Sequence, residues 1–176
     1  MSNLLPVKRV FALVLLALLV FPSSTAALIV PDSCIGGIGL WDSSTHVLRQ
    51  WGKPIRKTKD GPDAWWHYRR GSVLLARWGY APSPNKLIVL VVTTIDRSQQ
   101  TPSGIGVGST LAEVRAAYRD SACRRQGWCE IGKRPGRFTT LQLKNGRVTE
   151  VSISLESSYD DGGRLQAPDP RCRSSS

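Results

Sequence analysis

Two stretches of this chain repeat one another, and that recurrence limits the folds open to it. Ile38-Gly39-Leu40-Trp41-Asp42-Ser43-Ser44-Thr45-His46-Val47-Leu48-Arg49-Gln50-Trp51 aligns without a gap on Ile105-Gly106-Val107-Gly108-Ser109-Thr110-Leu111-Ala112-Glu113-Val114-Arg115-Ala116-Ala117-Tyr118. Ile, Gly, an aliphatic, a hydroxyl residue, Val and an aromatic coincide. Each stretch reads as a turn into a short helix. In the second, Thr110 caps the N-terminus while Glu113 reaches back, a capping box, and Leu111, Val114 and Tyr118 recur at helical spacing. In the first, Ser43 takes the cap and His46 stands where Glu113 does. Val47, Leu48 and Trp51 supply the apolar face, and Gly52 and Pro54 stop the helix.

Strands are predicted after each helix: Trp65 to Arg69, Val73 to Trp78 and Leu87 to Ile95, then Trp128 to Ile131, Phe138 to Lys144 and Val148 to Leu155. The expected fold class is therefore α+β: two tandem repeats, 28–95 and 105–155, each a short helix followed by about three antiparallel strands. Residues 96–104 read as a linker, and 156–176 as a polar, disordered tail. At Asn145-Gly146, a three-residue loop with Gly146 left-handed in a bulge sets Leu141 opposite Val151, whereas a two-residue turn sets it opposite Glu150. Register follows the buried face, which favours the longer loop.

Lys8 and Arg9 precede an apolar run from Val10 to Phe21, and Thr25-Ala26-Ala27 follows a Pro-Ser-Ser break. This is the order of a secretory signal peptide over 1–27, cut near Ala26 or Ala27. The run is shorter than the roughly 20 apolar residues that span a bilayer, so no stable membrane insertion is expected after cleavage. An uncleaved anchor extending through Ile29 and Val30 is the competing reading. The expected location is secreted or extracytoplasmic. All four cysteines lie beyond the cut, and an even number suits an oxidising compartment. Three pairings exist. Cys123 with Cys129, close in sequence, and Cys34 with Cys172, joining the ends of the mature chain, are favoured. A metal site needs tighter clusters than His46 and His67 offer these cysteines, so no metal is expected.

Cleavage leaves roughly 150 residues, enough to bury a core. Removing Lys8 and Arg9 leaves 22 bases against 13 acids, a net charge of +9. Such a balance favours anionic partners, although the bases are spread along the chain and also suit a solvated surface. Catalysis has little to stand on. A nucleophile needs a base within reach, and His46 is better explained at a helix start. His67 alternates with Trp66 and Tyr68 on a strand. Gly104-x-Gly106-x-Gly108 lacks the rest of a phosphate cradle, and Asp160-Asp161-Gly162-Gly163 has too few acids for a calcium loop. No catalytic residue and no cofactor is assigned.

Ile-Gly-aliphatic, a Ser/Thr cap, Val and a later aromatic, with Trp66-His67-Tyr68 before two hydrophobic strands, resembles each repeat of the β-lactamase-inhibitor-protein-like proteins. It also resembles the related small outer-membrane-assembly lipoproteins. The likeness covers about residues 38–155. It implies sheets joined into one curved surface that grips another protein. Trp41 stands where that pattern has Gly, and no lipobox precedes Cys34. If Trp66 and Tyr68 point inward, as the resemblance implies, then Trp65, His67 and Arg69 share the open side of the sheet. Val89 and Val91 would lie beside them on an uninterrupted apolar strand. The expected function is an exported, non-enzymatic binding module for a protein or an anionic polymer of the cell envelope, with nucleic acid not favoured. A structural or assembly factor of the envelope is the alternative, and an envelope hydrolase a weaker one. Oligomeric state is left open.

Overall fold

Period-two alternation along the longer strands gives one sheet face a continuous apolar surface. In the computed structural model, which describes residues 28–77, 87–124, 127–132, 136–155 and 170–172, that surface is the floor of the core. Three short strands come first: β1 (Ile29–Val30), β2 (Cys34–Ile35) and β3 (Ile38–Gly39). Helix α1 (Ser44–Trp51) leads into β4 (Arg56–Asp60), β5 (Asp63–Tyr68), β6 (Gly71–Arg77) and β7 (Leu87–Thr94). Helix α2 (Leu111–Ala117) leads into β8 (Ala122–Arg124), β9 (Trp128–Ile131), β10 (Arg137–Lys144) and β11 (Arg147–Leu155). A 3-10 turn covers Pro170–Cys172.

Strands β4 to β11 form one antiparallel sheet in the order β4-β5-β6-β7-β11-β10-β9-β8, and β1-β2-β3 form a second. A single cross-strand row runs through Trp66, Val73, Val92, Ile153, Thr139 and Ile131. It packs in one cluster with Ile29, Ile35 and Ile38 of the small sheet and with Val47 and Val114 of the helices. The small sheet is pinned further by Asp32, whose backbone N–H donates to the Thr139 hydroxyl at 2.6 Å while that hydroxyl donates to its carboxylate at 2.9 Å. Disulfides join Cys34 to Cys172 and Cys123 to Cys129. The first ties the small sheet to the end of the chain.

The architecture corrects the expected fold class. The chain is mostly β, with one continuous eight-stranded sheet and a separate three-stranded one, not two α+β repeats of a helix with about three strands. Four strands follow each helix. The additional strands escaped sequence reading for physical reasons. Arg-Lys-Thr-Lys-Asp of β4 has no apolar face because it is an edge strand, where charge prevents pairing with other chains. Strands β1, β2, β3 and β8 are too short for any period.

Both helix caps form as expected. The Ser43 hydroxyl accepts from the His46 N–H, and Thr110 and Glu113 make the reciprocal capping box. Leu48, expected on the apolar face of α1, is instead exposed. At the β10–β11 hairpin Leu141 does lie opposite Val151. The loop itself is the two-residue kind, with Asn145 (φ 53°) and Gly146 (φ 72°) both left-handed. A bulge between Gln142 and Leu143 restores the register that the turn alone would have missed. The 96–104 connection is packed at Gln99 and Thr101, both buried. The signal segment 1–27, and 156–169 and 173–176 of the expected tail, lie outside the described residues.

Candidate binding cleft and sheet face

Gly52, at φ 74°, turns the chain sharply out of α1 and caps it by donating to the Leu48 carbonyl. The chain then passes Lys53 and Ile55, whose N–H bonds the His67 carbonyl and so sets β4 beside β5. At the end of β5 the Tyr68 ring meets Trp51 edge to face, with centroids 5.3 Å apart and planes at 84°. The Trp51 indole donates to the Gly36 carbonyl at 2.9 Å, which fixes the ring. Arg69 and Arg70 form the turn into β6, and Asp96 and Gln99 follow β7.

These residues enclose a cleft of about 370 Å³ lined by Trp51, Lys53, Ile55, Tyr68, Arg69, Arg70, Gly71, Asp96 and Gln99. The volume falls in the range of small-molecule clefts, roughly 300–1,000 Å³. Burial would raise the Asp96 carboxyl, but hydrogen bonds from the Ser98 N–H and hydroxyl and from the Arg70 guanidinium outweigh it and hold it below its ordinary value. Arg70 is thereby committed, with its guanidinium 2.9 Å from Asp96. Lys53 and Arg69 are exposed and form no ion pair among the described residues. Burial raises the Tyr68 phenol, so it stays protonated and donates to the Gly52 carbonyl. Gln99 is 8% exposed, and its side-chain oxygen has no hydrogen-bond partner among the described residues. Ile55, at 74% exposed, is the most open large apolar side chain among them.

Beside the cleft runs the edge strand β4, with Arg56, Lys57 and Lys59 exposed. The Lys57 ammonium lies 4.1 Å from the centre of the Trp66 ring, which holds its stem against the sheet. With Lys53, Arg69 and Arg70, this places six cations along one margin of the molecule. Along the sequence these bases look scattered, and only the fold gathers them. The signal was the density of Lys and Arg over 53–59, beside a hairpin that brings 69–70 back to them.

The predicted surface residues divide. Trp65, His67 and Val91 lie on the open face, opposite the core side. The Trp65 and His67 rings stack at 6.4 Å, and the His67 imidazole is 3.0 Å from the Thr58 hydroxyl. Cross-strand pairing sets Thr58, Trp65, Leu74, Val91, Ser154 and Phe138 in one row on that face. Val89 does not belong there. A register shift between Leu74 and Leu75 pairs Leu74 with Val91 but Leu75 with Val89, so Val89 turns to the core and is fully buried. Arg69 lies in the turn beyond β5 and lines the cleft. His46, expected to serve the helix start, bonds the Gly37 carbonyl at 3.0 Å. Among the described residues no three or more His, Cys, Asp or Glu gather as a metal site, and no helix is long and apolar enough to cross a membrane.

No family model and no curated protein matches this chain. Among solved structures, an extracellular protein containing a SCP domain from Bacillus anthracis aligns with a TM-score of 0.50 at 12% identity, over 66% of this chain and 44% of that one. A DUF4309 family protein (YjgB) from Bacillus subtilis aligns with a TM-score of 0.39 at 9% identity, over 65% and 78% of the two chains. The first likeness is one of fold alone, and this chain spans less than half of that protein's length. The two disulfides fit an oxidising compartment outside the cytoplasm.

Proposed function

We propose that this chain is an exported binding module that holds an acidic polymer of the cell envelope along the β4 margin. The observation that carries this reading is the collection of Lys53, Arg56, Lys57, Lys59, Arg69 and Arg70 on one edge, of which only Arg70 forms an ion pair among the described residues. Like charges gathered so closely repel one another, and a polyanion relieves that repulsion while neutralising several of them at once. The reading is tested by titrating the mature protein with labelled polygalacturonate and with polyphosphate. Substituting Arg56→Gln and Lys59→Gln together is expected to weaken binding about tenfold, at ~0.7 kcal/mol per exposed charge. Removing Arg115 and Arg119, on and just after α2, should change little. Equal losses from both pairs would reduce the margin to general charge and sink the reading.

A second reading has its own observation, the row of Trp65, Leu74, Val91 and Phe138 on the open sheet face. These half-buried apolar residues suit a protein partner. Trp65→Ala and Val91→Ser would then reduce partner capture from native envelope while leaving Tm nearly unchanged. A large fall in Tm would mark them as core.

A further inference from the structure

We propose that the cleft at the end of the β4 margin is a subsite for one carboxylated sugar unit, resting on the polymer-binding reading above. Three features of the cleft combine. Its wall is a rigid aromatic corner: Trp51 is locked by its bond to Gly36 and by its T-shaped contact with Tyr68, so it can receive the C–H face of a ring without losing freedom. Ile55 extends that apolar wall and stays 74% exposed among the described residues. Its rim carries Lys53 and Arg69, which form no ion pair among the described residues, while Arg70 is held off by Asp96. A carboxylate placed at the rim would meet both of these cations, and Arg69 offers the planar fork that matches it.

The third feature is Gln99. A buried amide oxygen without a partner is costly; the Gln99 oxygen has none among the described residues, and its side chain lines the cleft. With the side chain turned toward the cleft, a sugar hydroxyl donating to this amide would complete its hydrogen bonding. A bare polyphosphate offers the charge but neither the ring face nor the hydroxyl. The cleft thus separates acidic saccharide from other polyanions, which the open β4 margin by itself would not.

Trigalacturonate and tripolyphosphate are the probes, added to the folded, disulfide-bonded protein. Trigalacturonate is expected to shift the Trp51 indole N–H resonance in NMR spectra and to bind at least tenfold more tightly than its methyl-esterified form. Ile55→Ser should weaken trigalacturonate about fivefold and leave tripolyphosphate unchanged. Gln99→Met should likewise weaken the sugar while holding or raising Tm, since it removes an unpaired oxygen. If both probes bind equally and Ile55→Ser affects neither selectively, the subsite is overturned while the polymer-binding reading stands. If neither trigalacturonate nor polyanion binds, both fall.

Discussion

Asp96 shows how a single carboxylate can hold a loop. It accepts from Ser98 twice and from Arg70, and these bonds keep its proton affinity below that of an unfolded chain. Its contribution is therefore full above the ordinary carboxylate pKa of about 4 and is lost as pH falls through the lowered value. Wild-type Tm should decline more steeply below about pH 4 than that of Asp96→Asn, which has no such proton to take up. Parallel acid limbs in thermal melts would show that the loop does not depend on this charge. At the same scale, Trp41 adopts φ 73° where its counterpart in the second segment, Gly108, has φ 102°. The oddity of a Trp in place of Gly was legible in the sequence, and the conformation it must bear was not. Val89 is the converse case. Its chemistry was plain, but the face it takes depends on a bulge that no composition announces.

The helices are short, seven and eight residues, so they owe little to propensity and much to their caps and to one buried valine each. Thr110 accepts from the Glu113 N–H at 3.2 Å, and Glu113 accepts from the Thr110 N–H at 2.6 Å. Thr110→Ala should cost about 1 kcal/mol in urea unfolding, the usual value of an N-cap. A loss below a few tenths would mean that Val114 alone holds α2. Caps were readable because they are local: a hydroxyl and a carboxylate three residues apart suffice. Edge strands were not, since β4 is defined by its partner β5 and not by any pattern of its own.

Across the whole molecule, the two disulfides should contribute unequally. Cys34 and Cys172 are 138 residues apart and Cys123 and Cys129 only 6. The chain-entropy model gives about 5 kcal/mol for the long loop against about 2 for the short one. Cys34→Ala with Cys172→Ala should therefore lower Tm far more than the matching pair at 123 and 129. Equal losses would put the stabilisation in the native contacts instead. Local sequence sufficed for the two capped helices, six of the strands to within a few residues, the facing of Leu141 on Val151 and the favoured cysteine pairs. Each of these is set by neighbours in the chain, by the choice of a buried face or by the small number of cysteines. The resemblance implied joined sheets, but tertiary structure alone decided that they join through β7 and β11 into eight strands and that a small sheet closes the core. It also gathered bases from 53–59 and 69–70 around a cleft. Those outcomes turn on which distant segments pack together, and burial rewards that packing without leaving a mark on the local sequence.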